Sequence, residues 1–128
     1  MEWIESLDDP RVAAYRDLPQ RARRGESLFV TEGRLVTRRL LRSGYETESV
    51  LVAERFAEEF EREAGPDVAL YVARESLLQE VAGFRFNRGV LGSGRRRPAL
   101  ALDGLMSPKD VEAGLSLVIC PEVVKPEN

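Results

Sequence analysis

The chain has 128 residues, 43% of them apolar and 32% charged, and a formal net charge of −3. That balance excludes a disordered tail, and no apolar run approaches the roughly 20 residues a membrane-spanning helix needs. One cysteine (Cys120) and no histidine exclude an intrachain disulfide, a Cys-rich zinc site and imidazole chemistry, so no metal is expected.

In chain order, Met1-Glu2-Trp3-Ile4-Glu5 lacks the basic and apolar regions of a signal peptide, so a cytoplasmic location is expected. Asp8-Asp9-Pro10 is an acidic cap with proline at the first helical position; it predicts a helix from Arg11 to Asp17 that stops before Pro19. A second helical stretch, Gln20 to Arg24, ends at Gly25. Ser27 to Thr31 reads as a strand. Glu32-Gly33 then turns the chain into a helix from Arg34 to Ser43, closed by Gly44.

Ser49 to Ala53 is the next strand. A helix from Glu54 to Ala64 follows, with Phe56 and Phe60 one turn apart on its core face, and Gly65-Pro66 ends it. Val68 to Val72 is a third strand, a short helix reaches Val81, and Gly89 to Gly94 reads as a fourth strand weakened by glycine. Such strand glycines mean a bulge or close packing, since their spacing is not that of a dinucleotide loop. Pro98 to Gly104 reads as a boundary, Ser107 to Glu112 as a capped helical turn, and Leu115 to Cys120 as a buried strand holding a small core cysteine. The alternation predicts an α/β domain of three layers.

Charge is segregated along the chain. Glu46 to Glu80 is strongly acidic, whereas Val81 to Pro98 carries Arg85, Arg88, Arg95, Arg96 and Arg97 without a carboxylate. A field of that kind attracts phosphate locally despite the acidic total. Arg34, Arg38 and Arg42 share one helix face behind Gly33, where a helix N-terminus offers free N–H groups. The plainer reading is a turn glycine followed by a solvated arginine face, and both stand at this point. Arg95 to Arg97 serve equally as phosphate contacts or as a solubilising flank. Glu58, Glu59, Glu61 and Glu63, interleaved with Arg55 and Arg62, read as a solvated face.

Three motifs in order carry a resemblance: Phe29-Val-Thr-Glu-Gly-Arg-Leu-Val36 before a helix, Phe86-Asn87-Arg88-Gly89-Val90-Leu91-Gly92, and the strand Leu115 to Cys120 followed by the turn Pro126-Glu127-Asn128. Together they resemble the SpoU (TrmH-like) RNA ribose methyltransferases over most of the chain from Ile4. Asn87 stands where many members carry histidine. The resemblance implies an α/β/α sandwich similar to ribosomal proteins that bind kinked RNA. It makes residues 1–98 an RNA substrate-binding domain, 99–114 a linker with a short helix, and 115–128 the opening of a knotted catalytic domain, of which Asn128 is the one motif remnant.

It further implies a parent that transfers a methyl group from S-adenosylmethionine to a ribose 2′-OH of structured RNA (rRNA or tRNA), and that dimerises through its catalytic domain. These 128 residues are then expected to be inactive, to bind no methyl donor, and to be monomeric or paired through the 115–120 strand. The implied RNA contacts are Arg21, Arg23, Arg24, Glu32, Gly33, Arg34, Arg38, Arg88, Arg95, Arg96 and Arg97. Two further readings are a stand-alone RNA-binding module of ribosomal-protein type and a small α/β protein-interaction domain.

Overall fold

Alternation of β-branched and aromatic runs with amphipathic ones sets the order of elements. The computed structural model describes residues 1–16, 27–82, 88–98 and the single positions Lys109, Glu112 and Gly114. Residues 1–97 form one compact unit and 98–128 another. All elements named here lie in the first: strand β1 (Glu2–Ile4), a 3-10 helix (Pro10–Tyr15), β2 (Leu28–Glu32), helix α1 (Arg34–Leu41), β3 (Thr47–Ala53), a 3-10 turn (Glu54–Phe56) leading into α2 (Ala57–Glu63), β4 (Ala69–Ala73), α3 (Glu75–Ala82) and β5 (Val90–Arg95).

The five strands make one sheet in the order β1-β4-β3-β5-β2. β3 lies at its centre because Val50-Leu51-Val52 is apolar on both faces, as a strand covered on both sides must be. β1, β4 and β3 run parallel, with Leu51 opposite Tyr71 and Trp3 opposite Val72. β5 is antiparallel to both β3 and β2, with Val50 opposite Gly92 and Thr31 opposite Gly92.

Successive residues of each strand feed opposite faces. Leu51, Ala53, Ala73 and Leu91 pack with Val12 and Tyr15 of the 3-10 helix and Leu78 and Val81 of α3. Val50, Val52, Val72 and Val90 pack on the other face with Phe60 of α2 and Leu41 of α1. Each fully buried Leu, Val or Phe contributes about 1.5–3 kcal/mol. The buried Tyr15 hydroxyl is paired at 2.7 Å with the Ser49 hydroxyl. Burial pushes that phenol well above its ordinary pKa, so it stays neutral.

Several expectations need correction. The sheet has a strand that the sequence reading lacks, β1, so it is five-stranded where four strands were expected in this unit. Asp9 caps its helix as expected, its carboxylate accepting from the Arg11 backbone N–H at 2.9 Å, but the helix is a six-residue 3-10 segment ending at Tyr15. The first residues after β3 are likewise 3-10, and Phe56 is only half-buried while Phe60 is fully so. The expected strand at residues 115–120, Cys120, the helical stretch at 20–24 and the Pro-Glu-Asn motif lie outside the described residues, as does the 107–112 turn apart from Lys109 and Glu112, both helical. Among the described residues no helix is long and apolar enough to cross a membrane, and no cluster of potential ligands could hold a metal ion.

Candidate nucleic-acid interface

The turn between β2 and α1 is built on Gly33. Its φ of 92° and ψ of 156° fall where essentially only glycine is comfortable. That conformation lets the Gly33 N–H donate to the Val90 carbonyl at 2.8 Å while its own carbonyl accepts the first helical bond from Thr37 at 3.0 Å. The missing Cβ also makes room for Arg88. A Cβ on Gly33 would lie 3.0 Å from the Arg88 Cδ, so the arginine stem runs across the glycine. The guanidinium emerges 62% exposed, 3.9 Å from the Glu32 carboxylate. Glu32, Arg34, Leu35, Val36 and Arg88 surround a groove of about 340 Å³ at this turn. Leu35 and Val36 are exposed beside the two cations.

Arg34 and Arg38 are not free. Arg34 grips Glu59 in a fork, Nε to Oε1 at 3.0 Å and Nη2 to Oε2 at 2.9 Å. Arg38 bridges Glu59 at 2.9 Å and Glu63 at 2.6 Å, and Arg42 stands 3.8 Å from Glu63. The expectation of a solvated carboxylate face on α2 therefore holds for Glu58 and Glu61, which are exposed, but not for Glu59 and Glu63, which tie α2 to α1. The segregated charge of the sequence becomes paired charge in space: the acidic stretch also supplies Glu46 and Glu48 to Arg95 and Glu75 to Arg55.

The structure divides the candidate arginines between two places. Glu32, Gly33, Arg34, Arg38 and Arg88 gather around the C-terminal end of β2. Arg95 ends β5 and Arg96 and Arg97 follow it, beside the start of β2, where Leu28 pairs with Arg95. That is the other end of the sheet, about 13 Å away over four residues of strand. There Arg97 lies over the Tyr45 ring at 4.7 Å and donates to the Gly44 carbonyl at 2.5 Å, Arg96 lies 5.9 Å from the Phe29 ring, and Phe29 and Tyr45 meet edge to face at 5.4 Å. This cluster fastens the exit of the chain from the unit. Arg21, Arg23, Arg24 and Asn128 lie outside the described residues.

Two residues beside the groove escaped the sequence reading. They are Arg55 and Phe56: Arg34 and Arg55 lie over the Phe56 ring at 5.2 and 4.8 Å, so Phe56 meets two cations instead of only filling the core. The available signal was an arginine next to an aromatic at a strand-to-helix junction. The strand glycines resolve as close packing: a Cβ on Gly92 or Gly94 would meet Thr31 Oγ1 at 2.7 Å or Phe29 Cζ at 2.6 Å.

No protein-family model matches the sequence. The chain is similar to uncharacterized tRNA/rRNA methyltransferases of Mycobacterium bovis and Mycobacterium tuberculosis. Identity is 36% over 97 residues in each, covering 71% of this chain and 34% of the relative. The chain thus matches about a third of the length of these curated relatives. Among solved structures it is similar to an AdoMet-bound rRNA methyltransferase from Sinorhizobium meliloti, with a TM-score of 0.58, 20% identity, and coverage of 76% of this chain and 37% of that one. A second structure of an rRNA methyltransferase from that organism gives 0.55, 21%, 76% and 38%. The mixed α/β fold is therefore one found within rRNA methyltransferases.

Proposed function

We propose that this chain is the RNA-recognition portion of an RNA methyltransferase, gripping structured rRNA or tRNA through the groove at Gly33. The observation that carries this reading is Arg88. Its stem lies across a glycine that admits it, and its guanidinium projects into solvent beside the N-terminus of α1 and the exposed Leu35 and Val36. A guanidinium and helix N–H groups suit phosphate, and exposed aliphatic side chains suit an unstacked base. The similarity to tRNA/rRNA methyltransferases supports RNA as the polymer.

The reading extends to a parent of SpoU type that methylates a ribose 2′-OH with S-adenosylmethionine, works in the cytoplasm as a homodimer, and uses this domain as an α/β/α module similar to kink-binding ribosomal proteins. The groove at Gly33 does not fit the methyl donor. The groove at Gly33 presents two guanidinium groups, which repel a sulfonium, and it is open instead of enclosing an adenosine. No step of methyl transfer is assigned to these residues, and the 128-residue chain alone is proposed to bind RNA without methylating it.

The test is binding of the chain to rRNA and tRNA fragments across a salt series, beside Arg88→Ala. Arg88 is the cleaner probe, because replacing Arg34 or Arg38 also cuts the ties to Glu59 and Glu63. Loss of one phosphate contact is expected to weaken binding severalfold and to reduce the slope of log affinity against log salt by about 1. Absence of binding at low salt, or an unchanged slope in the variant, would count against this groove.

A further inference from the structure

A second depression opens at the same end of the sheet. It has a volume of about 560 Å³ and is lined by Trp3, Glu5, Glu54, Arg74, Ser76 and Glu80, with Ile4 and Leu77 as its apolar base. Its Trp3 side lies on β1, four strand spacings or about 19 Å from β2, whose end leads into the Gly33 groove. Arg34 of that groove and Arg55 both lie over the Phe56 ring, at 5.2 and 4.8 Å.

The lining is selective in two ways. Trp3 is 50% exposed on an edge strand, so an indole surface is available to a flat ligand. Glu5, Glu54 and Glu80 form no ion pair with any described residue, and carboxylates only accept hydrogen bonds. A flat ligand with adjacent N–H donors on one edge satisfies both. Among the RNA bases only guanine has such an edge, N1–H beside N2–H₂. Uracil has one N–H between two carbonyls, while adenine and cytosine have an amino group beside a bare ring nitrogen. Ser76 offers a hydroxyl, and Arg74 is the cation of the lining for a flanking phosphate.

We infer that this pocket holds an unpaired guanine, stacked on Trp3 and donating N1–H and N2–H to a carboxylate of its wall. The inference rests on the RNA reading above for the source of the base, and it adds a sequence preference that the Gly33 groove does not provide. Single-stranded bases are commonly held by an aromatic face together with hydrogen bonds to the pairing edge.

Trp3 is the only tryptophan, so its emission reports the pocket directly. The 128-residue chain is titrated with GMP, IMP, AMP, CMP and UMP. Saturable quenching by GMP is expected, with the other four about tenfold weaker or more, the loss typical of one good bidentate base contact. IMP keeps N1–H and lacks only the 2-amino group, so it isolates that donor. Glu54→Gln/Glu80→Gln is expected to remove the GMP preference while leaving the urea midpoint unchanged, since neither carboxylate is tied to a described partner. Equal quenching by all five nucleotides, or none, overturns the inference. Quenching by N-acetylarginine amide but not by GMP overturns it in favour of a basic peptide. Labelled RNA separates the two readings: RNA binding that depends on Arg88 with Trp3 silent sinks the guanine pocket alone. GMP quenching without RNA binding supports the pocket and overturns the RNA reading.

Discussion

Gly33 concentrates three demands in one residue: a backbone conformation with positive φ, an N–H that reaches the Val90 carbonyl, and the absence of a side chain under Arg88. Gly33→Ala meets only the second. It is expected to cost about 1–3 kcal/mol in urea unfolding, the range for a residue forced into this region, and to displace Arg88, so RNA affinity should fall more than stability explains. Unchanged stability would mean the turn relaxes to another conformation. The importance of Gly33 was legible in the sequence because glycine between a strand and a helix has few other uses. The tie of Arg34 to Glu59 was not legible. It depends on α1 and α2 lying side by side on one face of the sheet, and residues 25 positions apart give no local sign of meeting.

Among the elements, those with strong local patterns were legible: the apolar β3, the start of α1 behind Gly33, and β5 with its glycines; the end of α1 was not, since the helix stops at Leu41 with Arg42 as its cap instead of running to Ser43 and closing on Gly44. β1 was not, because three residues at a sheet edge carry too little alternation to read, and Trp3 and Ile4 became a strand only through pairing with Val72 and Ala73. The 3-10 helix at Pro10–Tyr15 shows the same limit, since its cap was visible and its tighter winding was not. That cap has a pH signature. Bonds from the Arg11 side chain and then from its backbone N–H hold the Asp9 carboxyl down to about 2, against 3.8 in the unfolded chain. A lowered carboxylate pKa favours the folded state above the unfolded value, and the gain is lost as pH falls through the folded one. Stability is therefore expected to decline between about pH 4 and pH 2, with Asp9→Asn removing that part of the decline. Denaturant midpoints taken across this window, wild type beside variant, check it; parallel curves would discard the assignment.

On the scale of the whole molecule, the two core clusters of the described residues lie within residues 1–97, in contacts among the sheet, the α-helices α1 to α3 and the first 3-10 helix. A chain ending at Arg97 is expected to unfold in one cooperative transition with a midpoint close to that of all 128 residues. Loss of cooperativity, or a large fall in the midpoint, would show that residues 98–128 hold this unit together. The α/β class follows from alternating elements and was legible. The pairing of β1 with β4 was not, since it joins residues about seventy positions apart.

That separation orders events during synthesis. β1 has no pairing partner until Ala69–Ala73 has been made after it. The wall of the Trp3 pocket waits for Arg74 to Glu80, and the Gly33 groove waits for Arg88. A nascent chain that stops short of Glu80 presents neither surface in finished form.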